Sequence, residues 1–156
     1  MKKSEILDKI KAFKKTSQIV CLSTLNLEKF PETRAMLNIN NTEAFPHLKG
    51  AIKENDPAVY FTTNTSSPKI KQIAKNRKAS VYFSDNLNFE GLLLIGAVKE
   101  IKEAKTKELF WTDGWKIYYP KGKDGGDYSI LKFVPESYKF YCGFKVIKGK
   151  IKTSKR

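Results

Sequence analysis

At 156 residues, 40% hydrophobic and 29% charged, the chain has the balance of one folded globular domain spanning 1–156, which excludes disorder over most of its length. Its formal charge of +14 could draw nucleic acid, anionic lipid or phosphorylated ligands. Only Arg34, Arg77 and Arg156 are arginines, however, and bidentate phosphate and base recognition favours arginine, so the lysine excess reads as a genome-wide residue bias and nucleic-acid binding is not expected.

The charged start, Met1 to Glu5, has no apolar leader, and no later apolar run is long enough to span a bilayer, so a cytoplasmic protein with no membrane contact is expected. Ile6, Leu7, Ile10 and Phe13 recur at helical spacing, which predicts a first helix over 1–15 with Ser4 as N-cap and lysines on the solvent face. Gln18 to Leu25 reads as a strand and Asn26 to Pro31 as a turn. In Thr33 to Ile39, Thr33, Ala35, Leu37 and Ile39 alternate with Arg34, Met36 and Asn38, so Arg34 leaves the strand opposite the apolar positions. Residues 40–57 read as a loop with a short helical turn, and Ala58 to Thr63 as a strand.

Ser66 to Ala74 is a predicted helix, followed by strands at Lys78 to Ser84 and Gly91 to Ile101, the second with Leu92 to Ile95 buried on both faces. Ala104 to Trp111 is helical by composition, and Tyr119 to Asp127 is a Pro/Gly-rich loop. Strands are expected at Tyr128 to Val134, Ser137 to Tyr141 and Lys145 to Ile151, before a basic, disordered tail at 152–156. Many short strands with few helices predict a mainly β barrel. Cys21 and Cys142 have no CxxC partner and no neighbouring histidine, so they read as buried, reduced thiols, and no metal site is expected.

The segment from Phe61 to Ile73 carries the most chemistry: a strand, a hydroxyl-rich loop, then Ser67-Pro68 opening a helix. Free N–H groups of a first helical turn favour an anion, Lys69 adds a positive charge, and the hydroxyls can donate to phosphate oxygens. Alone, Ser67-Pro68 would be a helix cap and nothing more. Arg34 supplies a second cation, and Gln72, three positions after Lys69, offers an amide that both donates and accepts. No Ser-His-Asp or Cys-His set can be assembled around the sole histidine, His47, so no catalytic residue is assigned.

Arg34-Ala35-Met36, the strand end Phe61-Thr62-Thr63 and Ser67-Pro68-Lys69 through Gln72-Ile73 resemble the FMN site of pyridoxamine 5'-phosphate oxidase-like split barrels. Gly96, Lys107 to Trp111, Trp115, Tyr119-Pro120-x-Gly122 and Tyr128 to Leu131 resemble the general stress protein branch. The resemblance implies an FMN-binding split barrel with the phosphate held by Arg34, Lys69 and Ser67. It implies that Met36, Phe61, Thr62 and Thr63 border the ring or ribityl chain, with Gln72 close by. It also implies a homodimer with FMN at the interface, where Trp111 and Trp115 of the second subunit are candidates to close the pocket. Both tryptophans read equally well as core packing.

Two positions depart from the family pattern: Asp124-Gly125-Gly126-Asp127 replaces an acidic-proline step, and Tyr141 stands where tryptophan is common. The chain also lacks the Arg-x-His motif of true pyridoxamine-phosphate oxidases, so vitamin B6 oxidation is not expected. The leading expectation is an FMN-dependent oxidoreductase acting on a small acceptor, with redox chemistry supplied by the flavin. The alternatives are a flavin-binding or stress-protection protein without turnover, a haem- or deazaflavin-binding split barrel, and a basic nucleic-acid-binding barrel.

Overall fold

In the computed structural model, which describes residues 1–151, helix α1 (Lys3–Thr16) buries Ile6, Ile10 and Phe13 at the expected spacing. It starts before Ser4: the Glu5 carboxylate accepts the Lys2 backbone N–H at 2.6 Å, so a carboxylate in the first turn takes the capping role expected of Ser4. Nor do all the lysines face solvent. Lys14 is only 4% exposed, because its ammonium donates to the carbonyls of Asp56 and Ala58 and ties the helix to the chain ahead of the third strand.

The strands are β1 (Ile19–Leu25), β2 (Pro31–Leu37), β3 (Val59–Asn64), β4 (Lys78–Asp85), β5 (Glu90–Ile101), β6 (Tyr128–Cys142) and β7 (Lys145–Lys150). All pair antiparallel in one sheet of order β2-β1-β4-β5-β6-β3, with β7 also on β6. This is the mainly β split barrel that the sequence predicted. The two strands expected at 128–134 and 137–141 are one bent strand. Its register with β5 shifts between Ile95 and Gly96, so Glu136 is extra and Pro135 sits where the ladder is broken. A Cβ at Gly96 would collide with the Val134 carbonyl, which makes the close approach at the bend a glycine position. Up to the bend β6 pairs with β3; beyond it, with β7.

Two apolar clusters lie on opposite sides of the sheet. The first contains Val20, Leu22, Phe61, Val81, Phe83, Leu92, Leu94 and Phe133, covered by α1. The second contains Tyr60, Phe110, Trp115, Tyr119, Tyr128 and Ile130. It is covered by α3 (Ala104–Phe110) and a 3-10 turn at Asp113–Ile117, which the sequence reading left unassigned. Strand alternation feeds both: Val59 and Phe61 join the first cluster and Tyr60 the second.

On β2 Arg34 stands opposite Ala35 and Leu37 as expected; the inward set is Arg34 and Met36, continued by Asn38, while Ala35 and Leu37 are exposed. Two expectations about burial are corrected. Of Leu92 to Ile95 on β5, only Leu92 and Leu94 are fully buried; Leu93 is partly exposed and Ile95 exposed. Cys142 is exposed and Cys21 half-buried, both as free thiols. Ile19, Leu37, Tyr82 and Ile95 thus form an exposed apolar row across β2, β1, β4 and β5. No helix among the described residues is long and apolar enough to cross a membrane. The tail at 152–156 lies outside the described residues.

Candidate functional site

Helix α2 (Pro68–Lys75) packs against β5 and β1, with Ile73 fixed in the first core and Ile70 packed against it, and reaches β2 through Gln72. Ser67 holds the N-cap position and Pro68 the first helical position, as the sequence suggested. The Ser67 hydroxyl makes no capping bond, however; it accepts a hydrogen bond from Lys69 Nζ at 2.7 Å. Lys69 Nζ donates also to Thr63 Oγ1 at 2.8 Å. An ammonium has three donors, so one remains. The start of α2 offers fewer amides than expected. The Ser67 N–H donates to Asn64 O and that of Ile70 to Ser67 O, while Pro68 has none; Lys69 keeps the one first-turn amide without a backbone acceptor among the described residues.

Arg34 reaches the same region from β2. Its Nη1 donates to Thr24 Oγ1 at 2.7 Å and Leu22 O at 3.2 Å, and its Nη2 to Gln72 Oε1 at 3.3 Å, with Glu32 Oε2 at 3.5 Å. Gln72 is buried, and its amide is engaged at both ends: Oε1 accepts from Thr24 Oγ1 at 2.6 Å and from Arg34, and Nε2 donates one of its two protons to Glu32 at 2.8 Å. Gln72 therefore orients Arg34, a role that the expected flavin contact did not include.

The electrostatics of this cluster are out of balance. Burial pushes the Lys69 ammonium below the ordinary lysine value, and the neighbouring Arg34 pushes it further. Arg34 is lowered by burial too, against the pull of Glu32. Among the described residues no carboxylate lies within ion-pair distance of Lys69, whose two partners are neutral hydroxyls. Two half-buried cations, of which only Arg34 has a carboxylate beside it among the described residues, are an arrangement that a dianion would complete.

The loop before α2 is tied from the far side. The Ser129 hydroxyl donates to Glu100 Oε1 at 2.9 Å, so the 2.7 Å bond between Thr65 and Ser129 has Thr65 as its donor. Thr65 thus has no proton left for an anion, whereas Thr63 and Ser67, which accept from Lys69, can still donate. Asp127 holds the next stretch. Its Oδ1 accepts the Ser66 N–H at 2.9 Å, its Oδ2 accepts from Asn64 Nδ2 at 2.8 Å, and its carbonyl accepts the Thr65 N–H at 3.2 Å. The Ser66 amide, then the Asn64 bond, hold its carboxyl below the usual range. A cleft lies between this loop and the Pro/Gly segment, lined by Ser66, Tyr119, Lys121, Gly126 and Asp127.

The sequence pattern of the pyridoxamine 5'-phosphate oxidase family matches residues 6–142. The chain belongs to that family. A solved relative from Clostridium acetobutylicum, described as related to general stress protein 26 of Bacillus subtilis, is 31% identical over 97% of each chain, with a TM-score of 0.77. General stress protein 26 from Bacillus anthracis shares the fold at 17% identity and a TM-score of 0.65, covering 92% of this chain and 98% of its own. So does a pyridoxamine 5'-phosphate oxidase-related, FMN binding protein from Nostoc punctiforme, at 13% identity and 0.64, covering 92% and 86%. No curated protein matches the sequence.

Of the residues that the family pattern singles out, the fold brings Arg34 and Gln72 into one hydrogen-bonded group and Lys69, Thr63 and Ser67 into a second, and the charge of Arg34 is felt at Lys69. Met36 and Phe61 lie in the first core, and Phe61 is fully buried, so β3 can offer a ligand only its backbone at that position. Thr62 alternates to the opposite face, the side of Tyr60 and the second core. Trp115 is buried against Phe45, His47 and Tyr128, and Trp111 packs on Tyr119 and Tyr128. The tryptophans are thus built into the second core of their own chain. His47 lies in a short turn with Nε2 3.2 Å from Phe110 O, away from Arg34 and Lys69 in these contacts. The sequence reading missed Thr24, Glu32 and Asp127; Asp127 had a signal, as the acid following Gly125-Gly126.

Proposed function

We propose that this chain binds FMN, with the phosphate at Arg34, Lys69, Ser67 and Thr63, and serves as a flavin-dependent oxidoreductase toward a small acceptor. The observation that carries the reading is the Lys69 ammonium: half-buried, beside a second cation, and bonded among the described residues only to hydroxyls. The donor set fits a phosphate dianion, with one Lys69 proton, the Thr63 and Ser67 hydroxyls and the Lys69 amide available to oxygen acceptors. The description of the Nostoc relative as FMN binding supports the same cofactor. Bound flavin would supply the hydride or electron exchange. Gln72, Thr24 and Glu32 hold Arg34 against swinging away, and Lys69 turns the two hydroxyls so that their protons face outward. A cytoplasmic homodimer is part of the proposal, supported by the exposed apolar row of Ile19, Leu37, Tyr82 and Ile95. With Trp111 and Trp115 held in their own core, the outward Ile117 and Tyr118 are better placed to meet a second subunit.

A visible spectrum of the purified protein, with mass analysis of the compound that heat releases, tests the cofactor. FMN bands and an FMN mass are expected. Haem or deazaflavin bands, or a colourless protein that FMN cannot load, would overturn the assignment. Reduction by NADH or NADPH and reoxidation by candidate acceptors then tests turnover, and a bleached protein that never reoxidises would leave a flavin-binding role without turnover. Light scattering should give a dimer; a monomer that holds FMN tightly would contradict the shared interface.

A further inference from the structure

The three residues before the Ser67 cap, Asn64, Thr65 and Ser66, are each bonded to Asp127, which comes from the far end of the Pro/Gly loop. Gly126 precedes it with φ of 89°, a left-handed conformation that lets the chain turn back and aim the carboxylate at this loop. The arrangement is electrostatically odd. A carboxylate sits beside a segment whose cations await an anion, where it would repel a phosphate. Its geometry supplies a reason. The Thr65-Ser66 backbone is a turn between the end of β3 at Asn64 and α2, and Asp127 is the group that takes the Ser66 amide and the Asn64 side chain together.

We infer that Asp127 is a positioning residue for the phosphate site: it fixes the turn that sets Ser67 and Lys69 relative to Thr63. This rests on the proposed phosphate binding at Arg34 and Lys69. It differs from an electrostatic role in the sign of its effects. If Asp127 acted only through its charge, any neutral replacement would strengthen binding of a phosphate. A positioning role instead depends on the hydrogen-bond pattern. Asp127→Asn keeps an acceptor for the Ser66 N–H, and its amide can donate to Asn64 once that side chain turns its amide over. Asp127→Ala keeps neither bond.

The test titrates the full-length protein, stripped of flavin, with FMN and with riboflavin, and follows hydrogen exchange of the Ser66 amide without flavin. In Asp127→Ala, FMN affinity should fall roughly tenfold, the loss expected when a charge-assisted hydrogen bond is removed. Riboflavin affinity should stay, and the Ser66 amide should exchange faster. Asp127→Asn should restore FMN binding and slow exchange. Tighter FMN binding in both variants would overturn the inference in favour of a charge effect, and unchanged exchange in Asp127→Ala would show that Asp127 does not hold the turn. If the wild-type chain bound neither flavin, the cofactor proposal would fail, and the exchange measurement would still decide whether Asp127 holds the turn.

Discussion

Lys14 and Lys69 are both lysines drawn out of water, and they end in opposite electrostatic situations. Burial lowers both ammonium groups, Lys14 to about 8, but the next contribution differs in sign: Asp56 raises Lys14, whereas Arg34 lowers Lys69 further. Lys14 donates to two backbone carbonyls and joins α1 to the start of β3. Lys69 donates to two hydroxyls, which can pass their own protons to a third party. The first is a cation completed by its own chain; the second is completed only by something added. A lowered lysine is therefore no sign of function by itself, and the partners decide.

The largest expected effect that would break this contrast lies at Arg34. Arg34→Ala removes the second cation and with it the charge-assisted bond worth roughly 1.5–3 kcal/mol, so FMN affinity should drop about tenfold to a hundredfold. Circular dichroism should show the fold intact. An Arg34→Ala protein that binds FMN as tightly as wild type would reduce the cluster to helix packing.

Next in size is the pH dependence of stability. The folded-state value of Lys14 is about 8 against an ordinary 10.5, so between those values the unfolded chain binds more protons and stability from this group rises with pH. Denaturant melts should gain about 1–2 kcal/mol from this group between about pH 8 and about pH 9.5. Lys14→Met should lack that gain. Parallel curves for wild type and Lys14→Met would remove Lys14 from the account.

The smallest effect sharpens the contrast on the other side. Lys69 binds an anion only while protonated, and its value lies below that of an ordinary lysine, so FMN affinity should weaken as pH rises into the alkaline range. Lys14→Met should leave this profile in place and Lys69→Met should flatten it. An affinity independent of pH in wild type would mean that Lys69 does not meet the phosphate.

Much of this was legible in the sequence, because alternation and start signals are local. The Phe61 to Gln72 segment reads as strand, loop and helix, and it folds so. What stayed hidden was direction. Period-2 alternation on β2 separates Arg34 from Leu37 without saying which faces inward; α2 and Thr24 decide that from distant parts of the chain. Lys14 looked like a solvent lysine because its two carbonyl partners lie more than forty residues away. The unity of β6 was masked by Pro135, which reads as a strand break until Gly96 across the sheet makes room for the bend. Asp127 and Gln72 act through bonds that only the closed fold creates.

The most direct test of the central claim, that Lys69 awaits a phosphate, is the ratio of FMN to riboflavin affinity in Lys69→Ala beside wild type. The two ligands differ only in the phosphate. Wild type should prefer FMN, and the variant should lose most of that preference through FMN alone, by about tenfold or more. Equal losses for both flavins, or none for either, would contradict it.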